Sequence, residues 1–206
     1  SEKYPFIYAA LGIHPHDADK MNEDLIDKIR VLSKKDKVVA IGEIGLDYYY
    51  DNSPRDTQKY WFERQIELAK ELKLPIIIHD RDAHEDTVNI LKKTDAGQVG
   101  GIFHCFSGSA QMALDMIKLN MYISIGGPVT FKSARKTIEV VQAVPLEKLL
   151  VETDSPYLSP EPFRGKRNNS GYLVHIIRKI AEIKGISESE VAEATLANAK
   201  KVFRLK

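Results

Sequence analysis

A single cysteine, Cys105, stands among the 206 residues, so no internal disulfide can form. That usage fits a reducing compartment, and a cytoplasmic location is the expectation. Long apolar runs are missing as well: none approaches the roughly 18 residues that a bilayer-spanning helix requires, so membrane partners are excluded from the reading. Charge of one sign is not in excess. Lys and Arg number 30 against 29 Asp and Glu, a net charge of +1, so no general field draws the chain to nucleic acid and any polyanion binding needs a local patch. Low-complexity segments are absent, and so is any repeat beyond a β/α unit. The opening Ser-Glu-Lys-Tyr-Pro carries neither an initiator Met nor a signal-peptide apolar core, which reads as a fragment or a processed start. What is present is ordinary for a globular protein: 43% hydrophobic and 29% charged residues. One domain over 1–206, present as a monomer, is expected.

Short apolar runs rich in Val and Ile predict six buried parallel strands, at about 6–13, 37–43, 74–79, 99–104, 121–126 and 148–153. Amphipathic helices alternate with them. Asn22 is placed to cap the first, and Ser53 to cap the second with Pro54 at its first helical position. Asp82 with Glu85 has capping-box spacing for the third, and helices at about 109–119 and 133–143 follow. A Pro-rich loop spans 155–169. The last two helices, about 170–184 and 188–204, are separated by Gly185 as C-cap and by Ser187 with Glu190 as a second capping box. The pattern is α/β. A TIM (β/α)8 barrel is favoured over an open sheet because it brings strand ends together. Such a barrel needs eight strands and typically ~250 residues, so the first two β/α units are expected to be missing from this chain.

Four of the runs end on metal-type ligands: Glu43, His79, His104 and Asp154. In β/α folds chemistry gathers at the C-terminal ends of strands. A single histidine there is as well explained by a hydrogen bond to a neighbouring carbonyl, but two histidines and two carboxylates at equivalent positions point to a shared metal site. Imidazole suits Zn, Mn or Fe. Glu43, buried after apolar and small residues, is costly unless paired, and a carboxylate can bridge two cations. Asp154 is placed to bind metal, to take a proton from water, or both, although Asp-Ser-Pro is also a turn signal. Asp47 and Glu152 read as supporting carboxylates. His14, at the tip of the first strand, is placed to reach substrate. His16 beside it reads as a polar strand end, and His84 and His175 as solvated. Ser107 opens a loop leading into a helix N-terminus, a setting that favours anions. Arg81, Arg164 and Arg167 (with Lys166) form a basic rim for phosphate, while Phe163 and Tyr157 offer faces for bases. Cys105, on a strand, would point away from His104 and read as packing.

Gly-Ile-His14-Pro-His16, Gly-Glu43-Ile-Gly-Leu-Asp47-Tyr-Tyr, Pro-Ile-Ile-Ile-His79-Asp-Arg81, Phe-His104-Cys-Phe-Ser-Gly, Gly-Gly-Pro-Val-Thr-Phe, Glu-Thr-Asp154-Ser-Pro-Tyr-Leu and Pro-Phe-Arg164-Gly-Lys-Arg167-Asn together resemble the TatD family of metal-dependent hydrolases, in family order along the whole chain. The resemblance implies a TIM-barrel fold, dependence on divalent metal and hydrolysis, with members generally described as deoxyribonucleases and several as 3′–5′ exonucleases. It also implies that Glu43, His79, His104 and Asp154 are the metal ligands. One departure stands out. The family opens with a strand ending in a His-x-His pair that completes the metal shell, and no such segment is present, so the first ~50 residues are expected to be lacking, in line with the barrel arithmetic.

The expectation is therefore a phosphodiesterase using two divalent ions (Mg, Mn or Zn) to cleave DNA, single-stranded or at 3′ ends. Glu43 bridges the metals and Asp154 handles the proton. Two rivals remain open. An amidohydrolase- or lactonase-like enzyme would use the same strand-end chemistry on a small molecule. An inactive remnant would bind nucleic acid without turnover.

Overall fold

The computed structural model describes residues 1–205. Six strands run in chain order across a parallel sheet, β1 (Ala9–Leu11), β2 (Val38–Asp47), β3 (Ile76–Arg81), β4 (Gly101–Phe103), β5 (Met121–Ile125) and β6 (Leu149–Val151). Among the described residues seven α-helices accompany them, one after each of the first five strands and two after β6: α1 (Glu23–Leu32), α2 (Arg55–Leu72), α3 (His84–Lys93), α4 (Ala110–Lys118), α5 (Arg135–Ala143), α6 (Leu173–Lys184) and α7 (Glu188–Val202). The α/β class is as expected. The six-strand order lends no support to the two missing units invoked to complete an eight-stranded barrel. The chain divides into two compact units, Ser1–Ile102 and Phe103–Lys206.

In the first unit, β2 pairs in parallel with β1 and with β3. Ile41, Ile44, Leu46, Ile76 and Ile78 are fully buried, as a parallel strand covered on both faces requires. Helix α2 packs on β2 through an i, i+4, i+7 stripe, Phe62, Ile66 and Ala69, and these too are buried. Burying each large side chain of this kind contributes roughly 1.5–3 kcal/mol. At Gly45 the backbone of β2 lies close against that of β3 at His79. The φ of Gly45 is +146°, and a Cβ there would stand 1.9 Å from the His79 carbonyl oxygen. Only glycine allows that approach, which seats His79 beside β2.

In the second unit, β5 is buried at every position and pairs in parallel with β6, Ile123 opposite Leu149 and Ile125 opposite Val151. Helices α6 and α7 cover β6, with Ile176, Ile180 and Val191 fully buried. Asn198 donates to the carbonyls of Leu146 and Leu149, fixing the entry to β6.

The helix ends confirm some expectations and correct others. Asn22 accepts from Leu25 N, Ser187 and Glu190 form the full capping box, and Gly185 ends α6 with φ +68°. Ser53 does not cap α2. Pro54 stays outside the helix in an extended conformation, which leaves Ser53 one position too early to reach the free N–H groups. Asp82 likewise precedes Ala83, the true boundary of α3, and makes no cap. The expected strand over 6–13 shrinks to Ala9–Leu11, because Phe6, Ile7 and Tyr8 are exposed and hold no ladder position. Glu43 and His79, expected at strand ends, lie inside β2 and β3, which run on to Asp47 and Arg81.

Candidate metal centre

The first unit gathers three histidines and two carboxylates. His14 follows β1 and opens a 3-10 turn at Pro15, and its Nδ1 accepts from the backbone N–H of His16 at 3.2 Å. Pro15 thus folds the two rings onto one side, with centroids 4.3 Å apart, and the His79 ring stands 4.4 Å from that of His14. One nitrogen from each of His14, His16 and His79 falls in a group whose members all lie within 4.8 Å of one another.

The carboxylates bind this cluster together. His79 Nδ1 is 2.7 Å from Glu43 Oε1, and His79 Nε2 is 2.9 Å from Asp47 Oδ2. The same Asp47 oxygen lies 2.9 Å from His16 Nε2, and Glu43 Oε1 is 3.7 Å from His14 Nε2. The Asp47 side chain is 0% exposed. Its other oxygen accepts from the backbone N–H groups of Tyr49 and Tyr50, while Gln58 Oε1 accepts from the Asp47 N–H. Ser53, displaced from its capping role, donates to the His16 carbonyl and accepts from Asp19 N, so the loop that carries His16 is anchored.

Electrostatics divides the three rings. Burial, reinforced by the neighbouring His79, pushes His14 down to about 4, against the opposing pull of Glu43. It is therefore neutral at pH 7, with a lone pair to offer. Burial also works to lower His79, but its hydrogen bonds to Glu43 and Asp47 and their charges outweigh that, and its pKa is raised. Burial would raise Asp47, yet the Tyr50 N–H and the two histidines hold it below the usual carboxylate range. A neutral imidazole, a second held between two carboxylates, and a third on the shared aspartate form a donor set that a divalent cation matches. The cation would take over the role of the protons between rings and carboxylates.

The second unit holds a smaller cluster. His104 stands in the turn just after β4. Its Nδ1 is 2.9 Å from Glu152 Oε1 and its Nε2 is 3.4 Å from Asp154 Oδ1. Ser124 donates to Glu152 Oε2 at 2.5 Å, orienting the carboxylate that faces the ring. Asp154 has φ +56° in the loop after β6. Buried Asn168 donates to the carbonyls of Thr153 and Tyr157 at 2.6 and 2.7 Å, clamping both flanks of Asp154.

The remaining expected contacts have definite places. Ser107 is exposed in the loop before α4, whose N-terminus is capped by Ser109. Arg81 lies over Tyr49 and Tyr50, with its Cζ 4.1 and 4.8 Å from the two ring centroids. Arg164 covers Phe131 at 4.3 Å, and Arg167 is exposed. Phe163 is stacked on Tyr172, centroids 4.2 Å apart and planes 2° from parallel, with His175 against both. Cys105 lies in a turn with φ +41°, not on a strand. His84 is not merely solvated: its Nδ1 meets Asp80 Oδ2 at 2.7 Å. Two positions in and around these clusters escaped the sequence reading. His16 belongs to the imidazole group, and its one signal was the spacing His-Pro-His, where the proline forces the turn. Asn168 clamps the Asp154 loop, and nothing in Arg-Asn-Asn-Ser distinguishes it.

Comparison with known proteins agrees with this chemistry. The family model described as TatD related DNase matches residues 1–204. A Bacillus subtilis protein described as the uncharacterized metal-dependent hydrolase YabD is 55% identical over 204 residues, covering 99% of this chain and 80% of the relative. A Citrobacter rodentium protein described as the 3′-5′ ssDNA/RNA exonuclease TatD is 37% identical, with 98% of this chain and 79% of the relative covered. The crystal structure of YJJV, a TatD homologue from Escherichia coli, superposes with a TM-score of 0.92 at 34% identity, covering 100% of this chain and 80% of that one. The chain spans about 80% of the length of the relatives it matches.

Proposed function

Because the chain belongs to the TatD related DNase family, and so to a family of metal-dependent hydrolases, we propose that it hydrolyses phosphodiester bonds of nucleic acid, DNA first, from single-stranded or 3′ ends. The observation that carries this is the packing of His14, His16 and His79 with Glu43 and Asp47, a donor set that fits a divalent cation. In this reading Glu43 and His79 in the first unit and His104 and Asp154 in the second are metal ligands, and two ions (Mg, Mn or Zn) are used. Divalent ions supply Lewis-acid activation of water and charge neutralisation at phosphorus.

The chain's own groups do the rest. Asp47 and Glu152 hold the rings of His79 and His104 in orientation. Glu43 places a carboxylate between His14 and His79. Asp154 accepts or orients the proton of the attacking water. Arg81, Arg164 and Arg167 offer charge to phosphoryl oxygens.

Glu43→Ala and His104→Ala are each expected to reduce metal-dependent cleavage of a single-stranded oligonucleotide by about 100-fold or more while the circular dichroism stays native. Wild-type-like cleavage by either variant rejects the assignment. Activity of the wild type on lactones but not on oligonucleotides would transfer the site to small-molecule hydrolysis.

A further inference from the structure

The turn after β2 presents two tyrosines in a way that packing of the fold does not require. Tyr49 and Tyr50 are 59% and 54% exposed. A lone exposed aromatic needs no explanation, but these two are adjacent and edge-on to one another, with centroids 4.9 Å apart. Their backbone is anchored from below. Both N–H groups donate to Oδ1 of Asp47, whose other oxygen holds His16 and His79. The Tyr48 N–H donates to the Arg81 carbonyl, and the parallel register sets Asp47 opposite Arg81. The guanidinium of Arg81 therefore lies over both rings, at 4.1 and 4.8 Å. Tyr50 in turn meets the ring of His16 edge-on at 5.3 Å, so the patch is continuous with the imidazole group.

We infer that Tyr49, Tyr50 and Arg81 form a stacking platform for an unpaired nucleobase next to the metal centre. This rests on the phosphodiesterase reading above. Aromatic faces and a planar guanidinium accept any base, since every base has a π-face, and the guanidinium keeps N–H donors for the adjoining phosphate. A base inside a duplex has both faces covered by its neighbours. The platform therefore selects single strands and frayed ends and is indifferent to sequence. Of the two aromatics the sequence offered for this task, Phe163 already stacks within the fold on Tyr172, while Tyr157 is exposed in the loop after β6. Tyr49 and Tyr50 do not form part of the buried core, and they remain open to a ligand.

The test compares the wild type with the Tyr49→Ala/Tyr50→Ala and Tyr49→Phe/Tyr50→Phe double variants in the presence of Mn. The two substrates are a single-stranded oligonucleotide and an oligomer of equal length whose 3′-terminal residues are abasic. For the alanine pair, KM on the oligonucleotide is expected to rise roughly tenfold with kcat within about twofold. The phenylalanine pair restores KM, and the abasic oligomer is cleaved alike by all three. An unchanged KM in the folded alanine pair overturns the platform, and so does an equal loss on the abasic oligomer. Either result leaves the hydrolase reading standing if the wild type cleaves. A wild type that cleaves neither substrate overturns both.

Discussion

The histidine–carboxylate clusters of the two units use the same groups in different proportions. In the first, three imidazoles share two carboxylates, and the key carboxylate, Asp47, is completely buried. In the second, one imidazole lies between two carboxylates, Glu152 and Asp154, with 18% and 27% of their side-chain surface exposed. Nitrogen-rich sets suit borderline ions such as Zn, while carboxylate-rich sets suit Mg and Mn. The difference also shows where structure and chemistry are tied together. Asp47 supports two rings and two backbone N–H groups at once, so that carboxylate cannot be removed without disturbing the loop around it. Glu152 serves one ring and one hydroxyl.

The largest expected effect separates these two carboxylates. Asp47→Ala removes the buried partner of His16 and His79 and is expected to destabilise the metal-free protein by about 3–5 kcal/mol. Glu152→Ala is expected to cost about 1–2 kcal/mol. Urea midpoints of the two variants decide it, and equal losses would break the contrast.

A smaller difference is expected at two glycines. Gly45→Ala drives a Cβ to within 1.9 Å of the His79 carbonyl at a positive φ, whereas at Gly126 the nearest atom to a new Cβ is Cys105 Sγ at an ordinary 3.5 Å. The first should cost roughly 1–3 kcal/mol and weaken metal binding, the second within about 0.5 kcal/mol. Thermal unfolding with and without Mn reads both, and a tolerated Gly45→Ala would show that β2 and β3 need not approach so closely.

A further difference lies in the pH dependence of the first cluster without metal. The folded pKa of His79 is raised, so its contribution is fully present below the ordinary 6.5 and is lost as pH rises through the folded value. His14 is depressed to about 4, so the unfolded chain binds the extra proton between 6.5 and about 4, and stability falls as pH falls through that window. His14→Asn should flatten the acid side of the profile and His79→Gln the neutral side. A His14→Asn profile parallel to the wild type from pH 4 to 6.5 would show that His14 is not held neutral.

Much of the fold was legible because local rules were sufficient. Short apolar runs marked β2 to β6, and Asn22, Gly185 and Ser187 with Glu190 bounded helices where their side chains or φ demanded. Local rules failed where a residue found a better partner elsewhere. Ser53 had the right chemistry for a cap and spent it on the His16 loop. Phe6 to Tyr8 had strand composition without a neighbouring strand to pair with. Of the candidate site, the types of its side chains were visible as polar residues interrupting apolar runs, since burying such groups unpaired is costly. His16 and Asn168 were not, because their roles depend on what faces them.

The amino-acid order by itself determined the α/β alternation, the buried strands and the chemical kind of each group at their ends, all consequences of side-chain polarity and backbone propensity over a few neighbouring residues. Which ring meets which carboxylate was decided only in three dimensions. The parallel register of β2 with β3 and the close approach at Gly45 set Glu43, Asp47 and His79 within hydrogen-bond reach. Charge interactions depend on separations of a few ångströms, and residues distant along the chain acquire such separations only when strands pair.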